Sequence, residues 1–353
     1  MSRHITKKRG VGRSIVLVTT ASLFLASCTS TAATLRAVGQ PSFSIDAPLT
    51  AVACTTTGAC VTLGASGGSN APTAAAQVRN HKGVWSALNV PPAPVASFYT
   101  GACATVTCYF GGTQDTGDLI WSIDVDTGVT SSLAGPSSGL VIRNLSCSSD
   151  FDCVALDDAA HHQARWSTTT TAGTTWSTPR PLPWATNVTT TLSCASSQQC
   201  YVATTSPQHV VTLRETLDAG ARWSVVTTPS TWTSLTSLYC TTSCVALVAT
   251  ATGSAVATPS TATTAMTATT TSAAKSWDAT PIAFAPASLS CSSATTCVVV
   301  GRVVGQVAAM VQWQSGTVRS VALTYVPSAL TDVACQPSVC VAIGVTTVVS
   351  LRP

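Results

Sequence analysis

Charge is what this chain has least of. Asp, Glu, Lys and Arg together make up 8% of 353 residues, against about 25% in an ordinary soluble domain. No cluster of Lys and Arg is available to follow a phosphate backbone, which excludes a nucleic-acid footprint and a polybasic membrane patch. Glu215 is the single glutamate, so any chemistry built on paired glutamates is excluded. Aromatic residues account for 6% and methionines number three, which leaves little bulk for a large core. Apolar residues never recur at helical spacing over a useful length. Also missing are a glycine loop for nucleotide phosphates, a Ser-His-Asp set, a thiol nucleophile and a helical His-x-x-x-His pair. No cofactor and no metal site is expected.

The positive formal charge, +4, is misleading. Arg3, Lys7, Lys8, Arg9 and Arg13 open the chain, and an apolar run over residues 14–27 follows that is too short to span a bilayer as a helix. It closes on Leu25-Ala26-Ser27-Cys28, which resembles the lipobox of bacterial lipoproteins. The resemblance implies that residues 1–28 are a lipoprotein signal with its lipobox, cleaved so that a lipidated Cys28 becomes the new N-terminus, and that the chain is tied to the membrane outside the cytoplasm through acyl groups. The 17 basic residues less these five leave 12 against 13 acidic ones, a processed charge near −1. Residues 29–40 read as a plain tether.

Cysteine is abundant, and its spacing organises the rest. Cys54, Cys103, Cys147, Cys194, Cys240, Cys291 and Cys335 stand 49, 44, 47, 46, 51 and 44 residues apart. Each has a second cysteine close behind, respectively Cys60, Cys108, Cys153, Cys200, Cys244, Cys297 and Cys340. A fixed period in this range means a repeat architecture. Zinc ligation fails on spacing and on the lack of companion histidines. Exported chains favour disulfides, so each pair is expected to bridge within its own repeat, and Cys28 accounts for the odd total.

Each repeat reads as four strands. Strand one ends at the first cysteine, as in Asn144-Leu145-Ser146; strand two starts at the second, as in Val341-Ala342-Ile343. Strand three is expected at residues 209–214, and strand four at tryptophans such as Trp85, Trp176 and Trp223, closed by prolines (Pro91, Pro179, Pro229, Pro281, Pro327). The Ala/Thr-rich run 249–274 reads as plain strands with an extended loop. Seven four-stranded antiparallel units predict an all-β fold, a seven-bladed β-propeller over residues 41–353. A linear solenoid is the competing architecture, and the chain ends decide against it. Only 13 residues follow Cys340, too few for a fourth strand, whereas residues 41–48 precede the first cysteine as a fourth strand should. An N-terminal strand completing the last blade would close the ring and remove its open edge.

Thr216-Leu217-Asp218-Ala219-Gly220-Ala221-Arg222-Trp223 resembles the Asp-box of sialidase-type propellers, in which Thr216, Asp218, Gly220 and Trp223 fill the motif positions. Residues 169–176 keep Gly173, Thr175 and Trp176 but place Thr171 where the aspartate belongs; Asp126-Thr127-Gly128 and Lys82-Gly83-Val84-Trp85 are fainter copies, and 270–277 lacks the glycine. The resemblance implies the architecture and a structural turn. The family's catalytic set, an arginine triad with a tyrosine–glutamate nucleophile and an aspartate, has no matching positions here. Acidic and imidazole side chains instead gather in the loops between strands two and three: Asp115 and Asp118, then Asp157, Asp158, His161 and His162, then His209. Such loops share one face of a propeller, where these groups form either a solvated rim or a site for a cation or sugar. The leading expectation is a non-catalytic, membrane-anchored module that binds a protein or a glycan. A divergent glycoside hydrolase or lyase and an envelope-complex assembly factor are the alternatives.

Cys28→Ser should release the protein from the membrane fraction. Detergent partitioning measures this, and unchanged partitioning would remove the lipid anchor.

Overall fold

The computed structural model describes residues 48–352 apart from 67–72, 91–96, 115–116, 137–140, 159–162, 261–275, 304, 306 and 324–327. The signal, Cys28, the tether and nearly all of 41–48 therefore lie outside the described residues, as do Pro91 and Pro327.

Seven antiparallel sheets form a ring, each ordered one-two-three-four from the channel outwards. They span residues 49–88, 97–134, 141–186, 189–226, 232–282, 285–320 and 330–351, and are called blades one to seven. Among the described residues six have four strands, and blade seven has three. The expected fold is the observed one. All four residues of the last strand, Val348–Leu351, are buried although no described strand pairs with its outer edge. The backbone N–H of Leu49 also donates to the carbonyl of Val345 at 2.9 Å, which fastens the start of blade one to blade seven.

Strand two lies between neighbouring blades and is buried on both faces. Its apolar runs are therefore continuous, as in Cys200–Thr205 and Val339–Gly344. Small side chains suit this position because whole sheets stack face to face. Larger groups concentrate in blades two and three, where Trp121, Trp166, Tyr109, Phe98 and Phe110 are fully buried and Phe98 meets Trp121 edge-on at 5.7 Å.

All seven disulfides link directly opposed residues across the first hairpin of each blade, as the spacing predicts. Loops this short contribute roughly 2 kcal/mol each on the chain-entropy account. The hairpin tips also touch one another. Asp150 of blade three accepts the backbone N–H groups of Thr105, Val106 and Thr107 in blade two at 3.0, 3.1 and 2.9 Å. The Gln336 side chain of blade seven donates to the Cys54 carbonyl of blade one at 3.0 Å.

Strand one pairs with strand two on one edge only, so its other edge needs partners of its own. The preceding blade supplies them. Three and one residues before the first cysteine, small polar side chains reach the next blade. Thr100, Ser237 and Asp332 accept the N–H groups of Leu145, Leu289 and Val52 at 3.2–3.3 Å. Ser146, Ser193 and Ser290 accept those of Cys194, Cys240 and Cys335 at 2.8–3.1 Å.

Local details depart from the sequence reading. Strand four of blade three is Arg180–Thr186, after Trp176 and Pro179, because residues 169–176 turn tightly first. Pro281 sits inside Trp277–Ile282, opposite Ala255, on an outer strand where a missing N–H costs nothing. Strand three of blade four is Val211–Thr216, two residues later than expected, since His209 adopts φ 61° in the turn. The first part of the Ala/Thr-rich run forms strands Cys244–Thr250 and Gly253–Pro259; residues 261–275 are not described.

The ring-closing strand expected at residues 41–48 predicts that deleting them should lower the melting temperature far more than deleting 29–40. Equal melting of the two variants in calorimetry would mean that another segment closes the ring.

Candidate functional site

The first strand carries a bulge in six of the seven blades, four residues before the first cysteine. Opposite the bulge, blades one, two, six and seven place a glycine four residues after the second cysteine: Gly64, Gly112, Gly301 and Gly344. A Cβ there would meet the carbonyl of Pro48, Ser97, Ala285 or Ala329. Bulges re-aim side chains, and these line the channel. The bulged residues are Thr50, Thr236, Ala287 and Thr331 in four blades, but Tyr99 in blade two and Arg143 in blade three. The Arg143 guanidinium lies over the Tyr99 ring, 4.4 Å from its centroid.

Blades three, four and five lack this glycine, with Asp157, Thr204 and Val248 in its place. Asp157 stands where the glycine should be, opposite Ile142 and beside the Arg143 bulge, and is only 1% exposed. A cavity of about 1000 Å³ opens at this end of the channel, lined by Tyr99, Arg143, Asn144 and Asp157 with hydroxyl side chains of blades four and five. His209 and Asn187 stand at its rim with φ 61° and 52°. Both accept the left-handed region more readily than most residues, though not without strain. Ser206 steadies the His209 turn, its Oγ accepting the N–H of Val210 at 3.2 Å.

Of the acidic and imidazole groups expected on this face, the structure brings together Asp157 and His209. Asp118 is buried at the start of strand three of blade two, against Gly135, away from the cavity lining. Asp115, His161 and His162 lie outside the described residues, and Asp158 is described only as backbone of strand two. Tyr99, Arg143 and Asn187 were not singled out in the sequence. Counting back from the first cysteine would have found the first two, since they alone are larger than threonine at that position.

The opposite face carries the turns. Thr216 Oγ1 accepts the N–H of Gly220 at 2.9 Å, and Asp218 Oδ1 accepts that of Arg222 at 2.8 Å. The Arg222 N–H, then the Thr216 hydroxyl, holds the Asp218 carboxyl below its ordinary pKa. In blade three Thr169 and Thr171 make the same contacts to Gly173 and Thr175 at 3.1 and 3.0 Å, so a hydroxyl replaces the carboxylate. The fainter copies turn on Asp124 and Asn80. The tryptophan buried under the blade-four turn is Trp166 of blade three, whose Nε1 donates to Ala219; Trp223 is half-buried across it at 5.1 Å. Glu215 on this side accepts the Tyr201 hydroxyl at 2.6 Å. Burial, then the Glu215 hydrogen bond, raises the pKa of the Tyr201 phenol.

Among the described residues no group of three His, Cys, Asp or Glu side chains is placed to hold a metal, and no helix is long and apolar enough to cross a membrane. No family model and no curated protein sequence matches the chain. Solved structures match it in fold. YCF48 from Cyanidioschyzon merolae superposes with a TM-score of 0.63 at 9% identity, over 90% of this chain and 99% of that one. This chain is a seven-bladed β-propeller. YCF48 bound to D1 peptide gives 0.60 at 11%, covering 90% and 97%. A catalytically inactive virginiamycin B lyase from Staphylococcus aureus with quinupristin gives 0.60 at 9%, covering 89% and 98%. These are different propeller families, and identities this low carry the architecture alone.

Asp332 gives the channel wall a pH response. It accepts Ser288 Oγ of blade six at 2.8 Å, its neighbour Val333 N–H at 2.9 Å and Val52 N–H of blade one at 3.3 Å. Burial outweighs these bonds and pushes its pKa up to about 6. A carboxyl with a raised folded pKa stabilises the fold fully below its unfolded value, and loses that contribution as pH rises through about 6. Stability should therefore fall between pH 4 and pH 7 by on the order of 2 kcal/mol from this group. Asp332→Asn should flatten that window in denaturant titrations while Asp332→Ala, which strands its donors, should destabilise throughout. A wild-type slope that persists in Asp332→Asn would locate the response elsewhere.

Proposed function

We propose that this propeller is an exported, lipid-anchored binding module that engages a protein or glycan of the cell envelope at the channel mouth, without catalysis. The observation that carries the reading is the departure of blades two and three from the repeat. At two positions four residues before the first cysteine and one position four residues after the second, where the other blades keep uncharged residues no larger than valine, these blades place Tyr99, Arg143 and Asp157 around one cavity. A carboxylate is a departure at a position that takes glycine in four other blades, threonine in blade four and valine in blade five, and burying one is costly unless it is paired. Export and anchoring rest on the basic start, the short apolar run and Cys28.

The solved propeller bound to D1 peptide is precedent for this fold as a platform for a protein segment, and an envelope-assembly role is that idea applied to an anchored chain. Descent from sialidase-type propellers is supported by the Thr216–Asp218 turn geometry. The hydrolase or lyase alternative would need a second carboxylate converging with Asp157, the one acidic residue lining the cavity among the described residues.

A photo-crosslinking side chain installed at position 190, in the cavity wall, should trap an envelope component in intact cells. The same group at position 222, on the opposite face, should not. Adducts from 222 without adducts from 190 would put the binding face on the disulfide side and end this reading.

A further inference from the structure

The cavity's chemistry narrows the class of ligand. Its walls are mainly Ser, Thr and Asn side chains, such as Thr189, Thr190, Thr205 and Thr236. Each threonine offers a methyl beside a hydroxyl that both donates and accepts. Such a wall matches a molecule that alternates C–H faces with O–H edges. It matches poorly the interface core of a protein complex, where large aromatic or aliphatic anchors fill desolvated pockets; Tyr99 is the one large ring here, 41% exposed. Two planar polar groups sit in the same cavity, the Arg143 guanidinium and the Asp157 carboxylate. A carboxylate has about four acceptor sites and a guanidinium five donors in a fork, so between them they can read neighbouring hydroxyls on a ring. Their formal charges cancel. A strongly anionic ligand would have to approach the buried Asp157, and a cationic one would face Arg143.

We infer that the channel mouth of blades two to five binds a neutral glycan, with Tyr99 and Arg143 as the side wall and Asp157 as the acceptor at its base. This rests on the proposed binding function at the same site and names its ligand class. Asp157 is the specificity-determining residue, because at a position that holds glycine in four blades, Thr204 in blade four and Val248 in blade five, it alone places a carboxylate. The cavity, about 1000 Å³, is of the size class that buries most of a small ligand's surface, enough for a short segment or end of a glycan. The channel beyond it, about 640 Å³ and lined by first strands of every blade, extends the same hydroxyl-rich surface inwards.

The test uses full-chain protein in detergent on an array of neutral hexa-saccharides (gluco-, manno-, galacto-, xylo- and N-acetylglucosamine-linked) printed beside uronic-acid oligomers. At least one neutral series should bind. Asp157→Asn and Tyr99→Ala should each weaken that binding tenfold or more. Asp157→Gly restores the residue of blades one, two, six and seven, so it should keep the melting temperature and abolish binding. Arg222→Ala on the opposite face should leave binding unchanged. Failure of every neutral series to bind at millimolar concentration, or binding indifferent to both Asp157 variants, overturns the inference. Retention of uronic-acid oligomers alone, or a protein adduct alone from position 190, overturns the neutral-glycan assignment while leaving the binding function in place; absence of any adduct from 190 with adducts from 222 removes both.

Discussion

The structure depends on how one unused strand edge is satisfied. Each first strand gives one edge to its own sheet and would leave the other facing the channel with bare N–H groups. The repeat answers with a short polar side chain from the blade before, three or one residues ahead of the cysteine. Thr100, Ser146, Ser193, Ser237, Ser290 and Asp332 each accept a backbone N–H of the next blade. These bonds are individually modest, about 1 kcal/mol net, but leaving such donors buried and unmet would cost more than that apiece. The abundance of Ser and Thr in the chain is thus partly a requirement of ring assembly.

The ring-closing seam uses the same device with a stronger acceptor. Asp332 takes the place of a hydroxyl, gathers donors from blades six, seven and one, and is joined by the Gln336 bond to Cys54. The seam joins segments nearly 300 residues apart, where loop-closure entropy is highest, so a charge-capable acceptor there has a physical rationale. Burial of the same group raises its pKa to about 6.

Because hydroxyls, disulfides and glycine-opposed bulges carry the repeat, the blades can be nearly interchangeable. Departures then stand out. In blade three the glycine has become Asp157 and the bulge Arg143; in blade two the bulge is Tyr99. The turns on the other face vary as well, but Thr171 does the work of Asp218 and leaves the local geometry alone. Variation that preserves geometry is neutral. Variation that puts a buried carboxylate in the same cavity as an aromatic–guanidinium stack changes what the surface can bind.

The cysteine period, the apolar runs after each second cysteine and the short final repeat were enough to specify seven four-stranded blades, seven local disulfides and a last blade short of one strand. These are properties of spacing and alternation, which one dimension records fully. Strand ends were less legible: the turn at 169–176 and the left-handed His209 each displaced a boundary, because hydrogen bonds to nearby hydroxyls compete with sheet pairing. The site was half legible. Asp157 and His209 were visible as polar residues in loops that share a face, but Asp118 has the same sequence character and is buried elsewhere. Which of them reach the channel depends on strand register and on bulges that turn Tyr99 and Arg143 inwards. Those are decided by contacts between blades, since only the assembled ring places the innermost strands around a common mouth.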